Sequence, residues 1–143
     1  MGDLFYNRFK ANLLEGDCNL ASGGDTIKVA LMDNDHQTGA GAEDNDTWSD
    51  VSGNEISGTG YDACGATLAN QSVTQDDSND LAKFDGDDVA WTSASFTAYH
   101  AVLYDDTLAG DDLICSFDFG GAQQVTNGTF KIQWNASGVI TLS

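Results

Sequence analysis

The sequence contains two histidines, and a histidine placed beside a serine and an aspartate is the usual machinery of nucleophilic hydrolysis. His36 lies in an acidic stretch, whereas His100 lies inside the longest apolar segment and shares its alternation with Phe96 and Val102. The sequence has no GxSxG, HExxH, P-loop or dinucleotide-binding motif. Abundant Asp and Ser would complete a triad by chance, so we interpret His100 as a packed or interface residue. We predict no catalytic residues and no enzyme.

Carboxylates cluster on the predicted turns, and oxygen-rich turns are what Ca²⁺ prefers. Examples are the runs at 33–35, 44–46 and 85–88. The first run departs from the EF-hand pattern at its sixth position, where Thr38 replaces the glycine that the sharp turn requires. Paired carboxylates could also hydrolyse glycosides, but acids this frequent make any one pair uninformative. We predict no cofactor and no dedicated metal site, and structural calcium in an acidic turn stays open as the alternative.

The three cysteines are Cys18, Cys64 and Cys115. Their odd count and the lack of a CxxC pair argue against a disulfide framework and against a zinc ribbon. Cys115 lies in the apolar run 113–117, where a small buried thiol fits. We predict structural roles for all three.

The charge of the chain excludes further classes of partner. The 143 residues include 23 acidic and 5 basic side chains, which give a formal charge of −18. A surface this anionic repels phosphates and anionic lipids. We therefore expect no nucleic-acid partner and no membrane partner. No apolar run reaches the length of a membrane-spanning helix, and the first residues lack a signal-peptide pattern. We therefore expect a protein that is made in a host cytoplasm and used without secretion.

Local patterns predict one helix and many short strands. Residues 1–16 have apolar side chains near helical spacing, with Asp3 as N-cap and Gly16 as the end of the helix. Strands are predicted at 25–32, 66–74, 89–92, 95–104, 113–119, 129–134 and 139–142, with a short turn or helical piece at 48–51. Residues 33–47 are aperiodic and acidic, which predicts a mobile surface loop.

The number of predicted strands favours an all-β architecture. Seven or eight short strands with frequent turns predict a mainly β fold, a single-domain antiparallel β-sandwich or barrel over 1–143 with a short N-terminal helix. The segment 95–104 is apolar on both faces, which predicts a central strand.

Five segments carry a resemblance to known proteins. They are DTIKVALM at 25–32, NEISGTGY at 54–61, FDGDDVAW at 84–91, HAVLYDD at 100–106 and NGTFKIQW at 127–134. In this order they resemble a family of small virion proteins encoded among the head and tail genes of tailed bacteriophages. The resemblance spans most of the chain and consists of strand and turn signatures without catalytic content. It implies a β-rich structural subunit, a capsid decoration (cement) protein, with no active site to transfer.

The resemblance leads to a functional expectation. We expect a non-enzymatic virion structural protein on the capsid surface that binds the outside of the major capsid protein shell, stabilises the head and forms a homo-oligomer. Two other classes stay open: a tail or baseplate component that contacts the host surface, and a carbohydrate-binding β-sandwich module. Basic residues of the N-terminal arm and aromatic anchors are the natural contacts. The candidate interface residues are Phe5, Arg8, Phe9, Lys10 and Trp48.

Overall fold

The computed structural model describes residues 4–143. The elements, in chain order, are β1 (Leu4–Phe5), α1 (Asn7–Glu15), β2 (Ile27–Met32), α2 (Trp48–Val51), β3 (Ala66–Thr67), β4 (Ser72–Asp76), β5 (Leu81–Asp85), β6 (Val89–Asp105), β7 (Asp112–Ile132) and β8 (Ile140–Leu142). Single turns of 3₁₀ helix occur at Ala42–Asp44 and Ser52–Asn54.

The strands form two antiparallel sheets in a sandwich-like arrangement, which confirms the predicted fold class. One sheet has five strands in the order β1-β7-β6-β2-β3, and the other has three in the order β4-β5-β8. Ile27, Val29 and Leu31 of β2 share one buried cluster with Phe84 of β5 and Ile140 of β8. The two sheets are therefore held together by a common apolar core.

The other face of β2 and β6 is covered by the helices and the N-terminal arm. A second buried cluster joins Met32 of β2 and Tyr104 of β6 to Tyr6, which precedes α1, and to Trp48 of α2. The pair β2–β6 is thus buried on both faces. This explains why residues 95–104 are apolar on both faces. The position of β6 between β7 and β2 confirms the prediction of a central strand.

The N-terminal helix begins later than predicted. Leu4 and Phe5 are not helical but pair with Ser116 and Cys115 of β7. The helix begins at Asn7, after the extended Tyr6, and ends at Gly16 in the left-handed region (φ +79°), as predicted. The predicted N-cap Asp3 lies outside the described residues. At these positions the apolar spacing alone indicated a helix, but pairing with β7 satisfies the backbone hydrogen-bonding groups instead.

The strand predicted at 66–74 is wrong, because the chain changes sheets there. β3 pairs with β2, whereas β4 pairs with β5 in the other sheet. Asn70, between them, has a positive φ of 53°, which redirects the backbone.

The stretch 33–47, predicted to be a mobile surface loop, contributes to the interior, since His36 and Ala42 are buried.

β6 and β7 form a hairpin that is longer than predicted. Residues 89–92 and 95–104 belong to one strand of 17 residues, and residues 113–119 and 129–132 belong to one of 21 residues, which ends two residues before the predicted end at 134. Irregular pairing joins the pieces: Trp91 pairs with Phe130 and Ala94 with Gly128, so two residues of β6 face one of β7. Among residues 4–143, no helix is long and apolar enough to cross a bilayer.

Candidate functional site

A long open groove of about 1190 Å³ runs beside β7. Residues from β1, β7, the turn after β7 and β8 line it. Its aromatic lining consists of Phe5, Phe117, Phe119, Phe130 and Trp134. We call this surface the aromatic groove.

Aromatic side chains that are not fully buried are concentrated in the aromatic groove. Five aromatic side chains of the chain are partly exposed: Phe5, Tyr99, Phe119, Phe130 and Trp134. All of them except Tyr99 line the groove. Ring centroids lie 6.1 Å apart for Phe119 and Phe130 and 5.6 Å apart for Phe117 and Trp134, so the rings support one another.

A bulge in β7 shapes one end of the aromatic groove. Asp118 pairs with His100 and Gln123 with Ala98, so residues 119–122 oppose only Tyr99. Gly120 and Gly121, inside the bulge, have φ values of +78° and +143°, a region that favours glycine. We call residues 119–122 the β7 bulge. Such an insertion bends the strand and redirects its side chains, here those around Phe119.

The aromatic groove is almost free of charge, although the chain carries −18. Its charged lining residues are Asp118 and Lys131. Lys131 donates to Asp88 at 2.9 Å, and this contact lowers the pKa of the Asp88 carboxyl. A surface with apolar rings and no net charge within an acidic molecule resembles the core of a protein–protein interface, where charged residues are depleted.

The structure separates the five predicted interface residues into two groups. Phe5 lines the groove and stacks on Phe9, with ring centroids 6.3 Å apart. Lys10 is exposed, and Arg8 is half-exposed and 3.4 Å from Asp46.

Two of the five predicted interface residues belong to the interior. Phe9 is 5% exposed and belongs to the main core. Trp48 is 8% exposed and stacks on Tyr104 with centroids 4.7 Å apart. Because these two side chains are buried within the chain, we leave them out of the interface that we propose below.

Sequence reasoning missed most of the aromatic groove. Phe130 and Trp134 alternate with polar residues along β7 and beyond it, and this pattern predicted a one-sided strand. It did not indicate that their shared face would remain partly open. Phe119 is followed directly by Gly120 and Gly121, and this pair of glycines was the available signal for a bulge at an edge.

The two histidines lie against each other, and one of them contacts a buried serine. His36 Nε2 lies 3.0 Å from Ser116 Oγ, and the two imidazole centroids are 5.4 Å apart. His100 Nδ1 lies 3.6 Å from an oxygen of Asp118. Burial, with a smaller contribution from His100, lowers the pKa of His36 to about 4. Ser116 is fully buried, so its hydroxyl is not accessible to a substrate in this arrangement.

A thiol and two carboxylates converge at the C-terminal end of β6. One ligand atom each from Cys18, Asp25 and Asp105 lies within 4.8 Å of the other two. Burial raises the pKa of Asp105 to about 6 and that of Cys18 to about 12. Within residues 4–143 no other group of three or more His, Cys, Asp or Glu residues converges in this way, including the acidic turns considered for calcium. We call these three residues the Cys18 cluster.

Comparison of the chain with protein-family models, curated proteins and solved structures gave no match.

Proposed function

We propose that this chain is a non-enzymatic structural protein of a tailed-phage virion, a capsid decoration protein that binds the outside of the major capsid protein shell and stabilises the head. The observation that supports it most strongly is the neutral aromatic groove on an otherwise strongly acidic molecule. The five sequence segments that resemble small phage virion proteins point in the same direction.

The charge distribution suits a protein that is soluble alone and binds at many equivalent positions. A net charge of −18 keeps free copies apart in solution. The aromatic groove lacks this repulsion, and partly exposed aromatic side chains are typical anchors of protein interfaces. We therefore assign the groove to an apolar segment of the major capsid protein. Phe5 places the N-terminal arm against the same surface.

A second apolar surface supports contacts between copies of the chain. Leu14 of α1 is 90% exposed and its neighbour Leu13 is 38% exposed. Neither side chain lines the aromatic groove. We assign these leucines to the homo-oligomer contact, which leaves the groove free for the shell.

The direct test is quantitative mass spectrometry of virions separated into heads and tails. A decoration protein occurs on heads in a fixed ratio to the major capsid protein. Heads that lack the chain should lose heat or salt resistance and regain it when the purified protein is added. Confinement to the tail, or unchanged resistance of heads without the chain, would reject the proposal; the former outcome would favour the tail or baseplate class.

The groove itself is tested with Phe119→Ala and Phe130→Ala, each compared with Val73→Ala. Val73 is 51% exposed on β4 and does not line the groove. Loss of an aromatic anchor at an interface costs about 2 kcal/mol, so each groove variant should bind heads roughly 30-fold more weakly. Val73→Ala should bind like the wild type. Circular dichroism confirms that each variant is folded, and equal binding by all variants would exclude the groove as the contact.

One observation favours carbohydrate binding as a second candidate. The amide side chains of Gln123, Gln124 and Asn135 line the groove together with the aromatic rings. Rings that stack on a ligand and a few polar groups that orient it are the usual parts of a small-molecule site. Saturable binding to a glycan panel that Trp134→Ala abolishes would support this class; no binding would dismiss it.

A further inference from the structure

Three chain segments that are distant in sequence meet at the Cys18 cluster. Asp105 is the last residue of β6 and pairs with Ile27, the first residue of β2. Asp25 lies two residues before that strand, and Cys18 lies in the segment that leads from α1 to it. The cluster therefore lies where the segment after α1 meets the adjacent ends of β2 and β6.

The Asp105 carboxylate is buried without a compensating charge. The residue is 1% exposed. Its Oδ1 accepts the Thr107 amide at 3.0 Å, whereas its Oδ2 makes no well-formed hydrogen bond among the described residues. The polar side chains that interact with this carboxyl are those of Cys18 and Asp25. The ion pairs found in residues 4–143 do not include Asp105. An unpaired buried carboxylate oxygen is costly, and a bound cation would remove this cost.

Of the other two members of the cluster, Asp25 is oriented by a hydrogen bond, and both can be reached from solvent. Asp25 Oδ2 accepts the Asn19 amide at 2.7 Å, which fixes the orientation of that carboxylate. Cys18 and Asp25 are each partly exposed, so an ion has access from solvent. Hydrogen bonds that orient ligands from behind are a regular feature of metal sites.

The donor set identifies the class of ion. Thiolate sulfur is a soft ligand that Zn²⁺, Co²⁺ and Cd²⁺ accept, whereas Ca²⁺ and Mg²⁺ prefer oxygen alone. A tetrahedral zinc ion with bonds of about 2.0–2.3 Å holds its ligand atoms roughly 3.5 Å apart. The ligand atoms, which all lie within 4.8 Å of one another, need to approach by at most about 1.3 Å to reach the bound geometry.

We propose that Cys18, Asp25 and Asp105 bind one divalent transition-metal ion of the zinc class, with water in the fourth position. The ion joins the segment after α1 to the adjacent ends of β2 and β6 in the five-stranded sheet. Because the ion binds the folded state alone, it stabilises that state.

The test is titration of the reduced, metal-free full-length protein with Co²⁺, followed by displacement with Zn²⁺. Ligation by Cys18 should produce a thiolate-to-cobalt charge-transfer band that saturates at one ion per chain and disappears when Zn²⁺ is added. Cys18→Ser should abolish the band. The matched control is Cys64→Ser, which removes an exposed cysteine outside the cluster and should leave the band unchanged.

Thermal unfolding gives a second measurement. Zn²⁺ at a free concentration of 100 times its Kd should raise the Tm by about 5–10 °C. Asp105→Asn should lose this rise, yet its Tm without metal should be at least that of the wild type because a buried charge is gone. Cys18→Ser, which replaces a partly exposed side chain, keeps the test decisive if Asp105→Asn fails to fold.

Three results would overturn the proposal. One is the absence of both the band and the Tm shift. A second is a band that persists in Cys18→Ser or is lost in Cys64→Ser, which would place the ion elsewhere. The third is an equal Tm rise with Ca²⁺ and Zn²⁺ that Cys18→Ser retains, which would indicate binding to surface carboxylates only.

Discussion

At Gly65 the backbone passes so close to β2 that a side chain cannot be accommodated. Its φ is +75°, and an added Cβ would overlap the carbonyl oxygen of Val29. We expect Gly65→Ala to lower the free energy of unfolding by about 3 kcal/mol, measured by urea denaturation. Gly16→Ala is the control, since φ is +79° there but no atom lies within 4 Å of the added Cβ. It should cost about 1 kcal/mol. Equal losses would show that backbone conformation, and not the close approach, determines the effect.

His36 makes stability depend on pH in a defined direction. Burial, then the nearby His100, lowers its pKa from 6.5 to about 4, while Asp33 acts in the opposite sense. The folded state therefore holds a neutral imidazole, whereas the unfolded chain takes up a proton as the pH falls below 6.5. The stabilisation is complete above pH 6.5 and is lost as the pH falls towards 4.

The size of this effect can be isolated with His36→Gln, whose amide can still bond to Ser116. Between pH 7 and 4.5 the free energy of unfolding of the wild type should fall by about 2 kcal/mol more than that of the variant. Urea denaturation of both proteins across this range provides the measurement. Parallel pH profiles would mean that the buried imidazole does not contribute.

At the scale of elements, a buried amide contributes to the attachment of α1 to the five-stranded sheet. Asn12 is 4% exposed and donates from Nδ2 to Asp112 at 2.8 Å. The backbone carbonyl of Asn12 accepts the backbone amides of Gly16 and Asp17 at the end of the helix. Asn12→Ala leaves a half-buried carboxylate without this donor, so we expect a loss of about 2 kcal/mol in the free energy of unfolding.

The control for this prediction lies on the opposite side of the same helix. Leu14 is 90% exposed, and Leu14→Ala should change the free energy of unfolding by less than about 0.5 kcal/mol. Urea denaturation of both variants at low protein concentration distinguishes them. A loss for Asn12→Ala no larger than that for Leu14→Ala would show that α1 is held mainly by its apolar contacts.

The strands were predictable where burial imposes a pattern and unpredictable where pairing overrides it. β2 and the central part of β6 show their burial directly in the sequence. The polar stretch 120–128 carries three glycines and gives no strand signal, yet its backbone pairs with β6 within β7. Leu4 and Phe5 match helical spacing, but they pair with the edge of β7 and form a short strand. In both cases a tertiary partner outweighs local preference.

The sites were less predictable than the strands because they depend on long-range register. Cys18 and Asp105 lie far apart in sequence, and only the pairing of β2 with β6 brings Asp105 beside Asp25. Among 20 aspartates no local feature marks these two. The aromatic groove likewise requires that β1, β7 and β8 be placed before its open face can be recognised.

At the scale of the whole molecule, the net charge of −18 opposes folding in dilute buffer. Two like charges 10 Å apart in water repel each other by about 0.4 kcal/mol, and a screening length near 3 Å in 1 M salt removes most of this repulsion. We expect the free energy of unfolding to rise by at least about 1 kcal/mol between 0.05 and 1 M NaCl, measured by thermal denaturation. KCl should have the same effect, whereas a constant or falling value would show that repulsion is already balanced locally.

The β7 bulge has a consequence for aggregation. Cys115 and Ser116 pair with β1, but most of the outer edge of β7 has no neighbouring strand in the described chain. A straight edge of that length would be a template for fibril growth, and the sequence has no proline to interrupt it. The kink at Gly120 and Gly121 divides the edge into two shorter pieces that a single incoming strand cannot follow. We expect heated protein to form amorphous aggregates with little thioflavin fluorescence. We therefore expect the irregularity that adjoins the aromatic groove also to limit the polymerisation of concentrated copies.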